Sequence, residues 1–138
     1  MPFGYNGKVL HVNLTQQTTE IEEPDELFYR MYLGGKGFVA YYLLKETPRA
    51  VDPLGPENVL VLAAGSLTGT SGPGLNRFSA GARSPLTGAY GDSESGGFWG
   101  TELKMAGYDA IVLRGRAAHR KVSPGPNGGQ IGQGAGSI

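Results

Sequence analysis

Val59-Leu60-Val61-Leu62-Ala63-Ala64-Gly65-Ser66-Leu67-Thr68-Gly69-Thr70-Ser71-Gly72-Pro73-Gly74-Leu75-Asn76-Arg77 decides how the rest of the chain is read. Val59 to Ala64 is apolar without interruption. That is the pattern of a strand covered on both faces, and it is far too short to span a bilayer. Gly65 to Asn76 then holds four glycines and a proline, so a loop begins where the strand ends. In open α/β arrangements, ligands bind at the carboxyl ends of strands. Small residues bring main-chain N–H groups close to an anion, and the Thr and Ser hydroxyls add donors. Arg77 is the fixed cation in reach and can grip a phosphate through two N–H groups. No Gly-Lys-Ser/Thr follows, so this is not a Walker-type loop. The plain alternative is a surface loop ending in a solvated arginine.

Upstream, Lys8 to Leu14 alternates, with Leu10, Val12 and Leu14 on one face, and reads as a half-buried strand. Thr15 to Thr18 can turn the chain, and Thr19 to Glu22 can return as a second strand. Pro24-Asp25-Glu26 resembles a helix start, with carboxylates at the positive end of the helix dipole. Leu27 and Met31 share one face of that helix. Leu33-Gly34-Gly35-Lys36-Gly37 breaks it. Phe38 to Glu46 reads as a second helix, apolar nearly all round and so largely buried, which Thr47-Pro48 ends.

Downstream, Arg77 to Ala82 predicts a strand, Ser84 to Gly88 a turn, and Ala89 to Asp92 another strand. Phe98 to Ala106 predicts a helix closed by Gly107, and Asp109 to Leu113 a last strand. From Ser123 to Ile138 there are six glycines and two prolines but few large apolar residues. Such a stretch buries too little to order itself, so 121–138 is expected to be a disordered tail behind a domain of residues 1–120. Gly132-Gln133-Gly134-Ala135-Gly136 has no flanking strand or helix and is no dinucleotide fingerprint.

Composition narrows the function classes. Twelve basic and twelve acidic side chains cancel, so no field of one sign draws in nucleic acid or an anionic membrane. There is no cysteine, which excludes disulfides, a thiol nucleophile and an iron–sulfur cluster ligated from this chain. Two histidines, His11 and His119, are too few for a histidine metal site. No basic segment followed by a long apolar stretch opens the chain, so a cytoplasmic protein is the expectation. Glycine is the outlier at 24 residues, as suits main chain that closely approaches a ligand or turns sharply.

Two further glycine-rich stretches are candidate sites. Ser93-Glu94-Ser95-Gly96-Gly97 precedes a predicted helix, where free N–H groups can hold an anion; the alternative is helix capping by Ser95. Gly34-Gly35-Lys36-Gly37 can form a phosphate nest with a lysine, or simply separate two helices. Asp92, Glu94, Glu102 and Asp109 lack a defined spacing with a partner histidine and read as surface or capping groups.

Several motifs together carry a resemblance. These are Leu33 to Gly37, Val51-Asp52-Pro53-Leu54-Gly55-Pro56-Glu57-Asn58 and Ala64-Gly65-Ser66-Leu67-Thr68-Gly69-Thr70. They continue with Arg83 to Gly88, Ser95-Gly96-Gly97-Phe98-Trp99-Gly100 and Glu102 to Ala110. In order and spacing this wording resembles the tungsten-dependent aldehyde ferredoxin oxidoreductases. The resemblance implies an α+β domain of paired β-sheets with a few helices, the base on which a tungsten (or molybdenum) bis-pterin sits. A magnesium ion bridges the two pterin phosphates in such proteins. By motif match, Asn76 and Arg77 fall at the pterin contact. Glu94, Ser95, Gly96 and Gly97 fall at the phosphates, with the main chain of Glu94 toward magnesium. Many relatives carry Asn at the position of Glu94.

The same resemblance implies two-electron oxidation of an aldehyde to a carboxylic acid, with electrons leaving through a 4Fe–4S cluster to ferredoxin. No residue of this chain is assigned a catalytic proton transfer. Family members are several times longer, so the remainder of a parent chain is an expected partner, and a homodimer stays open. The family's next strand falls near Lys121, where this chain departs; that reads as a truncation or a disrupted frame, with the fragment alone inactive. Two rivals remain: a tungsten subunit of an aromatic-CoA reductase, and a non-catalytic assembly or scaffold module.

Overall fold

The computed structural model describes residues 4–118; the expected tail and His119 lie outside them. The strands are β1 (Val9–Asn13), β2 (Thr18–Glu22), β3 (Leu60–Ala64), β4 (Phe78–Arg83), β5 (Tyr90–Ser95) and β6 (Ala110–Arg114). The helices are α1 (Glu26–Tyr32), α2 (Lys36–Glu46) and α3 (Trp99–Met105). All six strands join one sheet in the order β2-β1-β6-β3-β4-β5. Only β1 and β6 run parallel; the other neighbours are antiparallel. The expected α+β class holds. The paired sheets implied by resemblance are represented, among the described residues, by this single mixed sheet.

One face of the sheet is closed by helices. Asp25 caps α1, its carboxylate accepting from the Phe28 N–H at 2.8 Å. The helix buries Phe28 and Tyr29, while Leu27 and Met31 share the outward face, 61% and 59% exposed. In α2 the buried residues are Phe38, Val39, Tyr42 and Leu43, a stripe of helical spacing laid on β3 and β4. The reading of α2 as largely buried therefore holds for one side only, since Leu44 faces outward. These side chains meet Val9, Val61, Ala63, Ala110 and Val112 from the strands. Gly81 lets α2 come this close, because a Cβ there would lie 2.2 Å from Val39 Cγ1.

The other face stays apolar and half open. The strand register aligns Ile21, Leu10, Ile111, Leu62 and Ala80 in one row across five strands. Ile21 is 49% exposed and Leu60, in the next row, 42%. The expectation that Val59 to Ala64 is covered on both faces is thus met on one.

Two local corrections follow from β5. It continues past Asp92 to Ser95, because Phe78 pairs with Ser95 at the end of the β4–β5 ladder. Ser95 is then extended strand and does not cap α3, whose N-cap is Phe98 with no side-chain cap bond. Asp109, read as a surface or capping group, is 1% exposed. Its carboxylate accepts from Lys104 Nζ at 2.7 Å, Tyr29 Oη at 3.0 Å, and the N–H groups of Asn6 and Gly7 at 2.9 and 2.8 Å. Burial, and then the Asp109 charge, push the Tyr29 phenol well above its usual range.

Candidate functional site

The three glycine-rich stretches converge at one end of the sheet. The Phe78–Ser95 register pair sets the segment before β4 beside the segment after β5. A Cβ on Gly96 would lie 3.7 Å from Asn76 Oδ1, so Asn76 and Gly96 are in contact range. The third stretch is zipped to the end of β3. Gly34 bridges Gly65, and the Gly35 N–H donates to the Ala64 carbonyl at 2.9 Å. Gly34 has φ +82°, and a Cβ there would sit 2.7 Å from that same carbonyl oxygen, so only glycine fits. Together they border a cavity of about 430 Å³ whose lining includes Lys36, Leu67, Leu75, Arg77 and Glu94.

The loop between β3 and β4 spends most of its polar groups on itself. Thr68 is buried; its hydroxyl donates to the Arg77 carbonyl at 2.6 Å and accepts from the Gly65 N–H at 3.0 Å. Thr70 Oγ1 donates to the Leu67 carbonyl, and the Gly69 N–H to the Leu75 carbonyl. These threonines are therefore loop braces, not the ligand donors expected from the sequence. The Arg77 main chain is held by this brace, whereas its exposed guanidinium has no hydrogen bond or ion pair among the described residues. The N–H groups of Gly96 and Gly97 are likewise without partners there. Gly97 has φ +95°, and nothing stands within 4 Å of where a Cβ would be.

Two carboxylates share this end. Lys36 Nζ lies 3.1 Å from Asp92 Oδ2 and 3.6 Å from Glu94 Oε1. The Asp92 hydrogen bond, with the charges of Asp92 and Glu94, holds the Lys36 amine above the usual lysine range. The Gly35 and Gly37 N–H groups are internally bonded, and the charged group that the Gly34–Gly37 segment brings to the cavity is Lys36. Asp92 was visible in the sequence only as one of several acids; its two-residue spacing from Glu94 on a strand is the signal that sets both on one face.

The larger groove, about 580 Å³, lies elsewhere, between α2 and the β4–β5 turn beside Leu44 and Tyr90. Its charged lining is Arg49 and Arg83, and the Arg83 guanidinium donates to the Gly88 and Arg49 carbonyls; the glycine-lined cavity is the one that the Arg77 loop borders. Among the described residues, no three or more His, Asp or Glu side chains are grouped to hold a metal ion. No helix among them is long and apolar enough to cross a membrane.

Residues 9–122 match the family model described as aldehyde ferredoxin oxidoreductase, N-terminal domain. The chain is 50% identical over 117 residues to a tungsten-containing aldehyde ferredoxin oxidoreductase of Pyrococcus abyssi, covering 85% of this chain and 19% of that one. It is 40% identical over 118 residues to an aliphatic sulfonate oxidoreductase, WOR-like subunit, of Pyrococcus furiosus, covering 83% of this chain and 19% of the relative. Among solved structures it is similar to the active-site complex of benzoyl coenzyme A reductase with 1,5-dienoyl-CoA. There the TM-score is 0.82 at 42% identity, over 85% of this chain and 18% of that one. The chain thus spans about a fifth of the length of the curated relatives it matches. On sequence and fold alike, it belongs to the aldehyde ferredoxin oxidoreductase N-terminal domain family.

Proposed function

We propose that residues 1–120 are the cofactor-cradling part of an oxidoreductase that converts aldehydes to carboxylic acids with ferredoxin as electron acceptor. The carrying observation is the convergence of the unpartnered Arg77 guanidinium with the free Gly96 and Gly97 N–H groups at one end of the sheet. Such a set fits a phosphate-bearing group, because a guanidinium and main-chain N–H groups both donate hydrogen bonds to anions. Arg77 and Asn76 would contact a tungsten (or molybdenum) bis-pterin, Ser95 to Gly97 its phosphates, and the Glu94 main chain a bridging magnesium. When bound, that group supplies the two-electron redox centre, with a 4Fe–4S cluster held by the rest of the parent chain. The work of this chain's own residues is to bind and orient, and none is assigned a proton transfer.

The fragment alone is expected to be inactive, and the purified 138-residue chain to carry no stoichiometric tungsten or molybdenum by elemental analysis. The cradle itself is tested by calorimetric titration with pyrophosphate, a minimal diphosphate probe. Arg77→Ala should lose a charged hydrogen bond of about 1.5–3 kcal/mol, roughly ten- to a hundredfold in affinity. Equal affinities in the two proteins would remove Arg77 from the cradle. A second reading, a tungsten subunit of an aromatic-CoA reductase, is favoured by the structural similarity to the benzoyl coenzyme A reductase complex. The two differ in substrate and share the cradle.

A further inference from the structure

The cradle has an electrostatic problem that its own donors do not solve. Glu94 lines the same cavity as Arg77, and Asp92 stands on the same face of β5. A free carboxylate there repels a phosphate and competes for the Arg77 guanidinium, since arginine and carboxylate pair readily. In the structure Glu94 is instead paired with Lys36, which it shares with Asp92.

Lys36 is well placed for this. It opens α2, directly after the segment zipped to β3 through the Gly35 N–H and the Gly34–Gly65 bridge. Its backbone is therefore fixed relative to the loop that carries Arg77. Counting charges, Lys36 and Arg77 balance Asp92 and Glu94; without Lys36 the mouth of the cavity is net negative. The lysine is 56% exposed, so little but the two carboxylates depends on it.

Resting on the cradle reading above, we infer that Lys36 is a positioning residue: it holds the Glu94 carboxylate toward α2 and so keeps Arg77 free for an anionic, phosphate-bearing ligand. Lys36 acts on that ligand through Glu94 rather than by touching it.

The test uses Lys36→Met, Lys36→Arg, Glu94→Gln and the Lys36→Met/Glu94→Gln double variant of the full chain, each checked for fold by circular dichroism. Without ligand, the Arg77 Nε–H resonance should shift in Lys36→Met as Glu94 captures the guanidinium. It should return in the double variant. With pyrophosphate, Lys36→Met should bind about fivefold more weakly. Lys36→Arg and the double variant should recover to within about twofold. An Arg77 resonance unmoved by Lys36→Met would overturn the inference. So would a double variant that binds as weakly as Lys36→Met, because Lys36 would then contact the anion itself. Failure of the underlying cradle reads differently: wild type and Arg77→Ala would take up pyrophosphate equally, while the ligand-free resonance still decides the role of Lys36.

Discussion

Two lysine–carboxylate clusters use the same chemistry at different places in the fold, and they do different work. Lys104 and Asp109 meet at 2.7 Å with side chains 1% and 2% exposed. Lys36 meets Asp92 and Glu94 at 3.1 and 3.6 Å, with its side chain 56% exposed. In the buried corner every partner is fixed. Lys104 Nζ also donates to the Gly4 carbonyl, Asn6 Nδ2 donates to the Lys104 carbonyl, and Asp109 collects the N-terminal turn and Tyr29. At the exposed site the ammonium is shared between two acids and screened by water. Burial turns one ion pair into a structural joint. Exposure leaves the other free to set the charge that a ligand meets.

The comparison predicts its largest effect at Asp109. Replacing it with Ala leaves the Lys104 ammonium buried without its counter-ion and strips the Asn6 and Gly7 N–H groups of their acceptor. Breaking a buried pair in this way costs about 3–5 kcal/mol, which urea denaturation would read as a large fall in midpoint. A loss below about 1 kcal/mol would mean that water reaches the corner and that the contrast with Lys36 is not one of burial.

Why this corner was not legible in the sequence is instructive. Lys104 and Asp109 lie five residues apart across the end of α3, a spacing that fits no helical pair, and their partners are about a hundred residues away at Asn6 and Gly7. No local pattern carries a contact of that range. The strands were legible because alternation and apolar runs are local: Val9–Asn13, Leu60–Ala64 and Ala110–Arg114 fall close to where periodicity set them. The end of β5 was missed because Ser93-Glu94-Ser95 is polar throughout, and only its ladder to β4 keeps it extended. At the candidate site, glycine content pointed to loops that the structure brings to one end of the sheet. It could not tell that Thr68 braces its own loop, nor that Lys36 reaches across to β5.

A carboxylate of intermediate exposure sharpens the contrast by pH. Glu22 has a side chain 33% exposed, with His11 Nε2 at 2.7 Å, Tyr42 Oη at 2.9 Å and Lys45 Nζ at 3.4 Å. Burial alone would raise its pKa, but the hydrogen bonds from His11 and Tyr42 and the charge of Lys45 outweigh it and hold it below the ordinary 4.5. A carboxyl depressed in the folded state binds its proton more weakly there than when unfolded. Its stabilisation is full above the ordinary value and is lost as pH falls below 4.5 toward the folded value. Glu22→Gln should therefore be less stable than wild type near neutral pH, with the gap narrowing below that point. Denaturation midpoints across pH 3–7 would check this, about the range over which a carboxyl titrates, and parallel curves for the two proteins would reject it.

The smallest expected effect is on stability at Lys36. The pair is exposed and lies within reach of salt, so its attraction is weak and is offset by the entropy of holding a long side chain in place. Lys36→Met should leave the urea midpoint within experimental scatter at physiological ionic strength, and any residual loss should vanish at high salt. The same substitution should nonetheless weaken pyrophosphate binding, because what it changes is the charge presented to an anion rather than the packing of the sheet. A midpoint shift as large as that of Asp109→Ala would place both lysines in the same structural role. The functional contrast between the two clusters would then be lost.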